Sequence, residues 1–345
     1  MTKILLATGH YYKELGGSYE AIGSTAYNLQ KYGMDVKLID FFNGEVNKNI
    51  DISKVLKNID IVHYFGAWTW PHYFFTRKCF NLKKKVIITP MGTFEPWSLS
   101  QKKFKKKLAL FFYQKSILKK ADIVHCTSED EEINVKKLDP KIKTLYIPHG
   151  SSGTTFKKIK ISNPNNKKAL FFSRIHYKKG LDLLLRAWSE AELENWELHI
   201  YGPDGDGSIV QNKKFVNENN LSSKVFFKEP IYSYKEKKKL FEKFDMFMLP
   251  SRNENFGLSV AEALRHSLPV LTNINVPWKD IKKFNAGWYI DSQYSSLKKT
   301  LMDIDKISDE NLLKKSVNAY NLSKEYEWEK IINRYNEMYN NLNKI

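Results

Sequence analysis

Twelve short apolar runs, separated by longer amphipathic or polar stretches, constrain this 345-residue chain more than any other feature. Six come first: Ile4–Thr8, Asp35–Asp40, Asp60–Phe65, Val86–Thr89, Asp122–Thr127 and Thr144–Ile147. Six more follow: Ala169–Ser173, Glu197–Tyr201, Lys224–Lys228, Asp245–Leu249, Pro269–Thr272 and Gly287–Ile290. β-Branched and aromatic residues dominate them, Gly, Pro and Asn bound them, and helical patterns fall between most of them. Such runs read as buried strands joined by right-handed crossovers, so the sequence predicts an α/β fold with parallel sheets. The polar stretch 159–166 reads as a linker. It divides the chain into two doubly wound, Rossmann-like domains, 1–160 and 161–324. A closing helix within 325–345 has the length to pack back on the first domain.

Several classes are excluded early. No apolar run approaches the roughly 18–20 residues that cross a bilayer, and Met1–Ala7 is too short for a secretion signal. Cys79 and Cys126 cannot build a disulfide framework, which points to a reducing compartment. The charge is more telling. The chain carries 56 Lys/Arg against 38 Asp/Glu, a net +18, which calls for an anionic partner. Most of the surplus lies before residue 160 and peaks in 101–121, where eight lysines and no acid occur. Lys102, Lys103, Lys105, Lys106 and Lys107 surround Phe104, and Leu108, Phe111, Phe112 and Leu118 continue a helical spacing. A basic helix with an aromatic stripe can lie on an anionic bilayer; the same pattern fits a helix with its stripe in the core and its lysines in water. Arg77, Lys78 and Lys83–Lys85 add a second basic cluster.

Ligands of open α/β sheets bind beyond the carboxyl ends of the strands. After the first strand, Gly9–Gly17 ends in Gly16-Gly17 at a helix start, where backbone N–H groups can meet a phosphate; a flexible turn fits as well. After the seventh, Arg174 and Lys179 flank the loop that ends at Gly180. A two-pronged guanidinium and a compact ammonium suit a diphosphate. After the tenth, Glu254 lies in a loop, Gly257 allows a tight turn, and Glu262 sits inside a helix among Val260, Ala261, Ala263 and Leu264. A carboxylate in that setting needs a partner, and vicinal sugar hydroxyls provide one. Paired carboxylates also fit a glycosidase, but that reading leaves the phosphate-suited loops without a role. Ser128 and Glu131 form a capping box that starts a helix. Asp204-Gly205-Asp206 reads as a turn rather than a metal site.

Taken together, Glu254-x7-Glu262 within Pro250–Leu258, Ser173-Arg174-Ile175-His176-x-Lys178-Lys179-Gly180, Gly16-Gly17, Ile147-Pro148-x-Gly150 and Pro269-Val270 make the chain resemble family 4 retaining glycosyltransferases of GT-B fold. The segment Gly92–Lys102 resembles a bacterial subgroup that assembles surface polysaccharide of the O-antigen or capsule type. The resemblance spans nearly the whole chain.

That resemblance implies two Rossmann-like domains facing across a cleft, and transfer of a sugar from a nucleotide-diphosphate donor to a lipid-linked or oligosaccharide acceptor. It implies that Arg174 and Lys179 hold the diphosphate, with Gly16 and Gly17 facing it, and that Glu262 binds the ribose. Glu254 and the backbone of Asn255, Phe256, Gly257 and Leu258 would hold the transferred sugar, and Ile231, within Pro230–Tyr232, would frame the base. Arg174, Lys179 and Glu254 form the implied catalytic set. The departing diphosphate would help deprotonate the acceptor hydroxyl, so no carboxylate nucleophile and no metal or other cofactor is implied. On the acceptor side stand His10, Met91 and Glu95. Met91 occupies a position where relatives carry Arg, and His149 one where Asn is common. The implied location is the cytoplasm, peripheral on the inner face of the membrane, with an anionic membrane surface as partner. Two other readings remain at this point: a sugar-nucleotide epimerase on the same fold, and a basic nucleic-acid or membrane binder without catalysis. A nucleic-acid binder leaves Glu254 and Glu262 without a role, so nucleic acid is not an expected partner.

Overall fold

The structure, a computed structural model, describes residues 2–9, 17–40, 51–151, 161 and 163–343. The chain divides into two units, Met1–Gly150 with Trp328–Ile345, and Ser151–Glu327. The sequence reading had placed these divisions at 160/161 and 324/325. Most of the expected linker, residues 152–160 and 162, lies outside the described residues.

The first unit is built on one parallel sheet of β1 (Lys3–Thr8), β2 (Asp35–Asp40), β3 (Ile61–Phe65), β4 (Lys85–Thr89), β5 (Ile123–Cys126) and β6 (Thr144–Tyr146). Their order is β2-β1-β3-β4-β5-β6. The second unit repeats the scheme with β7 (Lys167–Phe172), β8 (Trp196–Tyr201), β9 (Val225–Lys228), β10 (Met246–Leu249), β11 (Val270–Asn273) and β12 (Gly287–Ile290). Their order is β12-β11-β10-β7-β8-β9, again all parallel. In both sheets the order reverses beside the first strand, and a doubly wound sheet binds ligands at that point. Every expected run became a strand because a continuous apolar stretch can hide both faces only in the middle layer of such a sandwich.

The two faces of the first sheet separate cleanly along each strand. Leu5, Val62, Ile88 and Val124 enter one core cluster. Ile4, Leu6, Ile61, Phe65 and Ile87 enter another, because successive side chains of a strand point to opposite sides. The second face is covered by the C-terminal helix Trp328–Asn343, which buries Trp328, Ile331, Ile332, Tyr335, Met338, Tyr339 and Leu342. These positions follow the i, i+3, i+4 pattern of one helical stripe, and each fully buried side chain contributes about 1.5–3 kcal/mol. The Trp328 indole rests on Gly150, where a Cβ would stand 2.3 Å from its Cδ2. A polar chain runs beneath the helix: Tyr339 Oη meets His63 Nδ1 at 2.8 Å, Thr89 Oγ1 lies 2.6 Å from His63 Nε2 and 2.8 Å from His125 Nδ1, and Ile147 O accepts from His125 Nε2 at 2.8 Å.

The basic segment departs from its expected single helix. An α-helix, Lys103–Ala109, passes through a π-helical turn, Leu110–Gln114, into a second α-helix, Lys115–Lys120. The widened turn shifts the helical phase, and the apolar stripe is divided. Leu118 is buried in the core, whereas Phe104, Leu108, Phe111 and Phe112 are exposed. Beside them the helix Trp70–Asn81 exposes Trp70 and Phe74.

Candidate functional site

In the second unit, charged side chains converge at the carboxyl ends of its two central strands, β7 and β10, which are hydrogen-bonded neighbours. Glycine brings their loops together. Gly180 has φ +71°, and a Cβ there would stand 2.2 Å from the Pro250 carbonyl oxygen, so any other residue would push the loops apart. A latch then holds them. The backbone N–H of Arg252 donates to Lys178 O at 2.8 Å. Its guanidinium grips both oxygens of Asp182 at 2.7 Å, donates to Tyr177 O at 2.7 Å, and stacks 3.8 Å from the Tyr177 ring centre. This two-pronged geometry is the strong form of an Arg–carboxylate contact.

Inside the latch, Lys179 Nζ lies 2.5 Å from Glu254 Oε1. Ser251 Oγ donates to the same oxygen at 2.8 Å, and the Glu254 backbone N–H donates to Asn275 O at 3.0 Å. The Glu254 side chain is only 8 % exposed. Burial pushes its pKa up, but Lys179 and Lys178 and the two hydrogen bonds outweigh that, and the carboxyl is held below the usual range. Arg174 is exposed, and no described residue pairs with its guanidinium. Its stem lies along Gly205, where a Cβ would stand 2.7 Å from Cγ and Cδ. Among the described residues the site therefore offers one unpaired cation, Arg174, and one cation held on a carboxylate, Lys179.

Gly257, with φ +81°, turns the loop into the helix Leu258–Arg265, which no side chain caps. Phe256 anchors the turn: it packs on Trp278, whose indole donates to the Phe256 carbonyl at 2.5 Å. The helix thus presents free N–H groups and positive dipole at its start, beside Asn255 and Leu258, both half-buried. Glu262 lies further along it. The sequence reading missed its partner, Lys237, on the helix Tyr234–Phe241, 2.9 Å from Glu262 Oε1. A signal was available: Lys237, Leu240, Phe241 and Phe244 follow i, i+3, i+4, i+7 spacing, which puts that one lysine of the Lys235–Lys239 run on the buried face. Ile231, half-buried, packs against the core just before this helix. Arg252, Asp182 and Ser251 were also missed, since an exposed-looking loop gives no periodic pattern to read.

Asp204 and Asp206 are occupied by their own turn. Asp204 Oδ1 accepts from the Gly207 N–H at 2.9 Å, and Asp206 accepts from Tyr177 and Ser208 N–H groups. Among the described residues no group of three or more His, Cys, Asp or Glu is arranged to hold a metal ion.

In the first unit, Gly17 is exposed and opens the helix Gly17–Lys31, while His10 and Gly16 lie outside the described residues. Met91 is half-buried with φ +57°. Glu95 is buried and accepts from Asn134 Nδ2 at 2.8 Å. The capping box is realised on one side: Ser128 Oγ accepts from the Glu131 N–H at 3.1 Å. The fully buried Glu131 carboxylate instead accepts from Thr127 N–H at 2.8 Å and Gly92 N–H at 2.6 Å, which holds the loop after β4. His149 is buried, and burial with the nearby His125 pulls its pKa down to about 3. Lys106 is withdrawn from the exposed basic face; its ammonium donates to Ser98 O at 2.5 Å and lies 5.5 Å from the Trp68 ring.

The model of the family "Glycosyl transferases group 1" matches residues 153–322, nearly all of the second unit. The second unit therefore belongs to the group 1 glycosyl transferases. The whole chain is 28 % identical over 239 residues to an uncharacterised 41.2 kDa protein in the cps region of Klebsiella pneumoniae, covering 64 % of this chain and 63 % of that protein, less than two thirds of its length. It is 26 % identical over 306 residues to the uncharacterised glycosyltransferase MJ1178 of Methanocaldococcus jannaschii, covering 86 % and 79 % of the two chains. It is 32 % identical over 100 residues to the O-antigen biosynthesis glycosyltransferase WclY of Escherichia coli, covering 29 % and 26 %. The fold is that of GT-B glycosyltransferases. Sucrose-phosphate synthase of Thermosynechococcus elongatus superposes with a TM-score of 0.78 at 16 % identity, over 99 % of both chains. Anabaena HepE in complex with UDP-glucose superposes at 0.76 and 15 % identity, over 99 % and 100 %.

Proposed function

We propose that the whole chain is a glycosyltransferase that moves a sugar, with retention of anomeric configuration, from a nucleoside-diphosphate sugar to a lipid-linked or oligosaccharide acceptor in surface-polysaccharide assembly. The arrangement of Arg174, Lys179 and Glu254 at the ends of β7 and β10 carries the reading. A diphosphate leaving group gains negative charge as the glycosidic bond breaks. Arg174 supplies an exposed guanidinium that no described residue engages, and Lys179 supplies an ammonium already oriented by Glu254. Preorganised charge of this kind lowers the barrier because little reorientation accompanies the reaction. Glu254 and the uncapped start of the helix Leu258–Arg265 then face the sugar hydroxyls with one acceptor group and several N–H donors. With the cations supplied by side chains, transfer proceeds without a metal. HepE, of the same fold, is described with UDP-glucose, and WclY with O-antigen biosynthesis; both agree with this donor and product class.

The acceptor reading includes the membrane. Phe104, Phe111, Phe112, Trp70 and Phe74 are each more than half exposed, the highest being Phe111 at 82 %. Lys102, Lys103, Lys105 and Lys107 stand exposed among them. Aromatic rings with lysines around them suit insertion at an anionic lipid interface, where a lipid-linked acceptor would reside. No helix among the described residues is long and apolar enough to cross a membrane.

A thermal-shift screen with UDP-, GDP- and ADP-sugars, followed by transfer to a lipid-diphosphate acceptor and NMR of the product anomer, tests the proposal. One donor class should raise Tm and give a product with the donor's anomeric configuration. An inverted product removes the retaining mechanism, and release of an epimerised sugar without acceptor replaces transfer by epimerisation.

A further inference from the structure

Glu262 has two carboxylate oxygens, and the protein itself engages one. Lys237 Nζ lies 2.9 Å from Oε1, with the lysine side chain only 8 % exposed. Among the described residues nothing donates to Oε2, and the Glu262 side chain keeps 23 % exposure. An ammonium buried to this degree is costly unless a counter-charge meets it, so the pair constrains both partners. The lysine stands four residues beyond Ser233, on the helix entered directly from the loop that carries Ile231. It thus ties the segment assigned to the base to the helix assigned to the pentose.

We propose that Lys237 is a positioning residue for donor recognition: by occupying Oε1 it presents Oε2, in a fixed orientation, to the vicinal hydroxyls of a ribonucleotide. The inference rests on the reading of Glu262 as the ribose-binding group. A carboxylate oxygen has two lone pairs and can accept from two neighbouring hydroxyls at once. A free glutamate samples several rotamers and loses that freedom on binding; a glutamate already held by lysine has lost it beforehand, so more of the contact appears as affinity. Selection of ribose over deoxyribose therefore depends on Lys237, although Lys237 itself contacts neither sugar. A purely structural ion pair behaves differently: its removal lowers stability, or weakens all nucleotides alike, and leaves the preference between the two pentoses unchanged.

Calorimetric titration of the full chain with UDP, GDP and ADP, each beside its 2′-deoxy counterpart, separates these outcomes. The wild-type protein should bind one ribonucleotide about tenfold or more tightly than its deoxy form, the size of a lost hydrogen bond to a charged group. E262Q should reduce that ratio to near one. K237M should do the same, K237R should retain most of it, and the double variant should be no worse than E262Q alone, since coupled residues do not add. If K237M does not fold, K237Q is read in its place. A wild-type ratio in the lysine variant, with E262Q reduced, overturns the role of Lys237 and leaves the reading of Glu262 standing. An unchanged ratio in E262Q removes that reading itself, and wild-type protein that binds none of the three nucleotides removes both.

Discussion

At the scale of single residues, the site works by how its charges are partnered. Lys179 and Arg174 carry the same charge but differ in readiness: one is held at 2.5 Å by a buried carboxylate, the other is exposed and paired with no described residue. Arg174→Ala should reduce kcat/KM for transfer by about 10–100-fold, the loss expected from one charge-assisted hydrogen bond, with Tm within about 2 °C of wild type because no described residue leans on its guanidinium. Steady-state kinetics beside a thermal melt checks both halves, and unimpaired transfer would remove Arg174 from the diphosphate site. Glu254→Gln should do more damage. Lys179 loses its counter-charge in a buried setting, and stability should fall by about 1–3 kcal/mol along with activity. The wild-type contribution of Glu254 has a definite sign with pH. Its folded-state pKa is depressed, so its stabilisation is present above the ordinary carboxylate range and is lost as pH falls through the lower, folded-state value. Chemical denaturation of wild type and Glu254→Gln at neutral and acid pH should show the difference between them shrinking on acidification.

At the scale of elements, two segments depended on what packs against them. The C-terminal helix covers one face of the first sheet and closes the chain of His63, Thr89 and His125. Burial lowers the pKa of His63, and it holds His125 near 4 and His149 near 3. All three imidazoles are therefore neutral at pH 7. The unfolded chain takes up these protons first, near pH 6.5, so their contribution is complete above that value and is lost as pH falls toward 4. NMR of the histidine C2–H signals should show three rings that do not titrate between pH 8 and 5; titration of these near pH 6.5 would contradict the burial. Gly150→Ala should destabilise by about 1–3 kcal/mol, the usual effect of overpacking, because its Cβ would overlap Trp328. The basic segment tells the opposite story. Its π-helical turn leaves the aromatic residues outside the core. Replacing Lys102, Lys103, Lys105, Lys106 and Lys107 by Gln should weaken flotation with anionic vesicles by several kcal/mol in total, at about 1 kcal/mol per exposed lysine. Lys106, already turned onto Ser98 and Trp68, should matter least. Equal binding of wild type and variant would remove the membrane surface from the proposal.

At the scale of the whole molecule, activity should persist in excess chelator, because the cations assigned to the leaving group are side chains of the second unit; abolition of transfer by EDTA, restored by a divalent ion, would contradict that assignment. The order and kind of elements, the two parallel sheets and the four charged residues proposed for the donor site were all readable in the amino-acid string. Strand runs, crossover helices and glycine turns are local or periodic features, and sequence records such features directly. Spatial partnership is not recorded there. Lys237 lies 25 residues from Glu262 and Arg252 lies 70 from Asp182; the local spacing marks Lys237 as buried but names no partner for it, and the neighbours of Arg252 give no signal. The C-terminal helix could be foreseen as one able to return to the first unit, but its seat against Gly150 and the buried histidines required the folded sheet. So did the fate of the lysine-rich segment, where one stripe of side chains serves the core at Leu118 and water at Phe111. Chemistry that depends on which residue types are present was determined by sequence. Chemistry that depends on which oxygen of a carboxylate is already occupied was decided only when distant segments came within hydrogen-bonding distance.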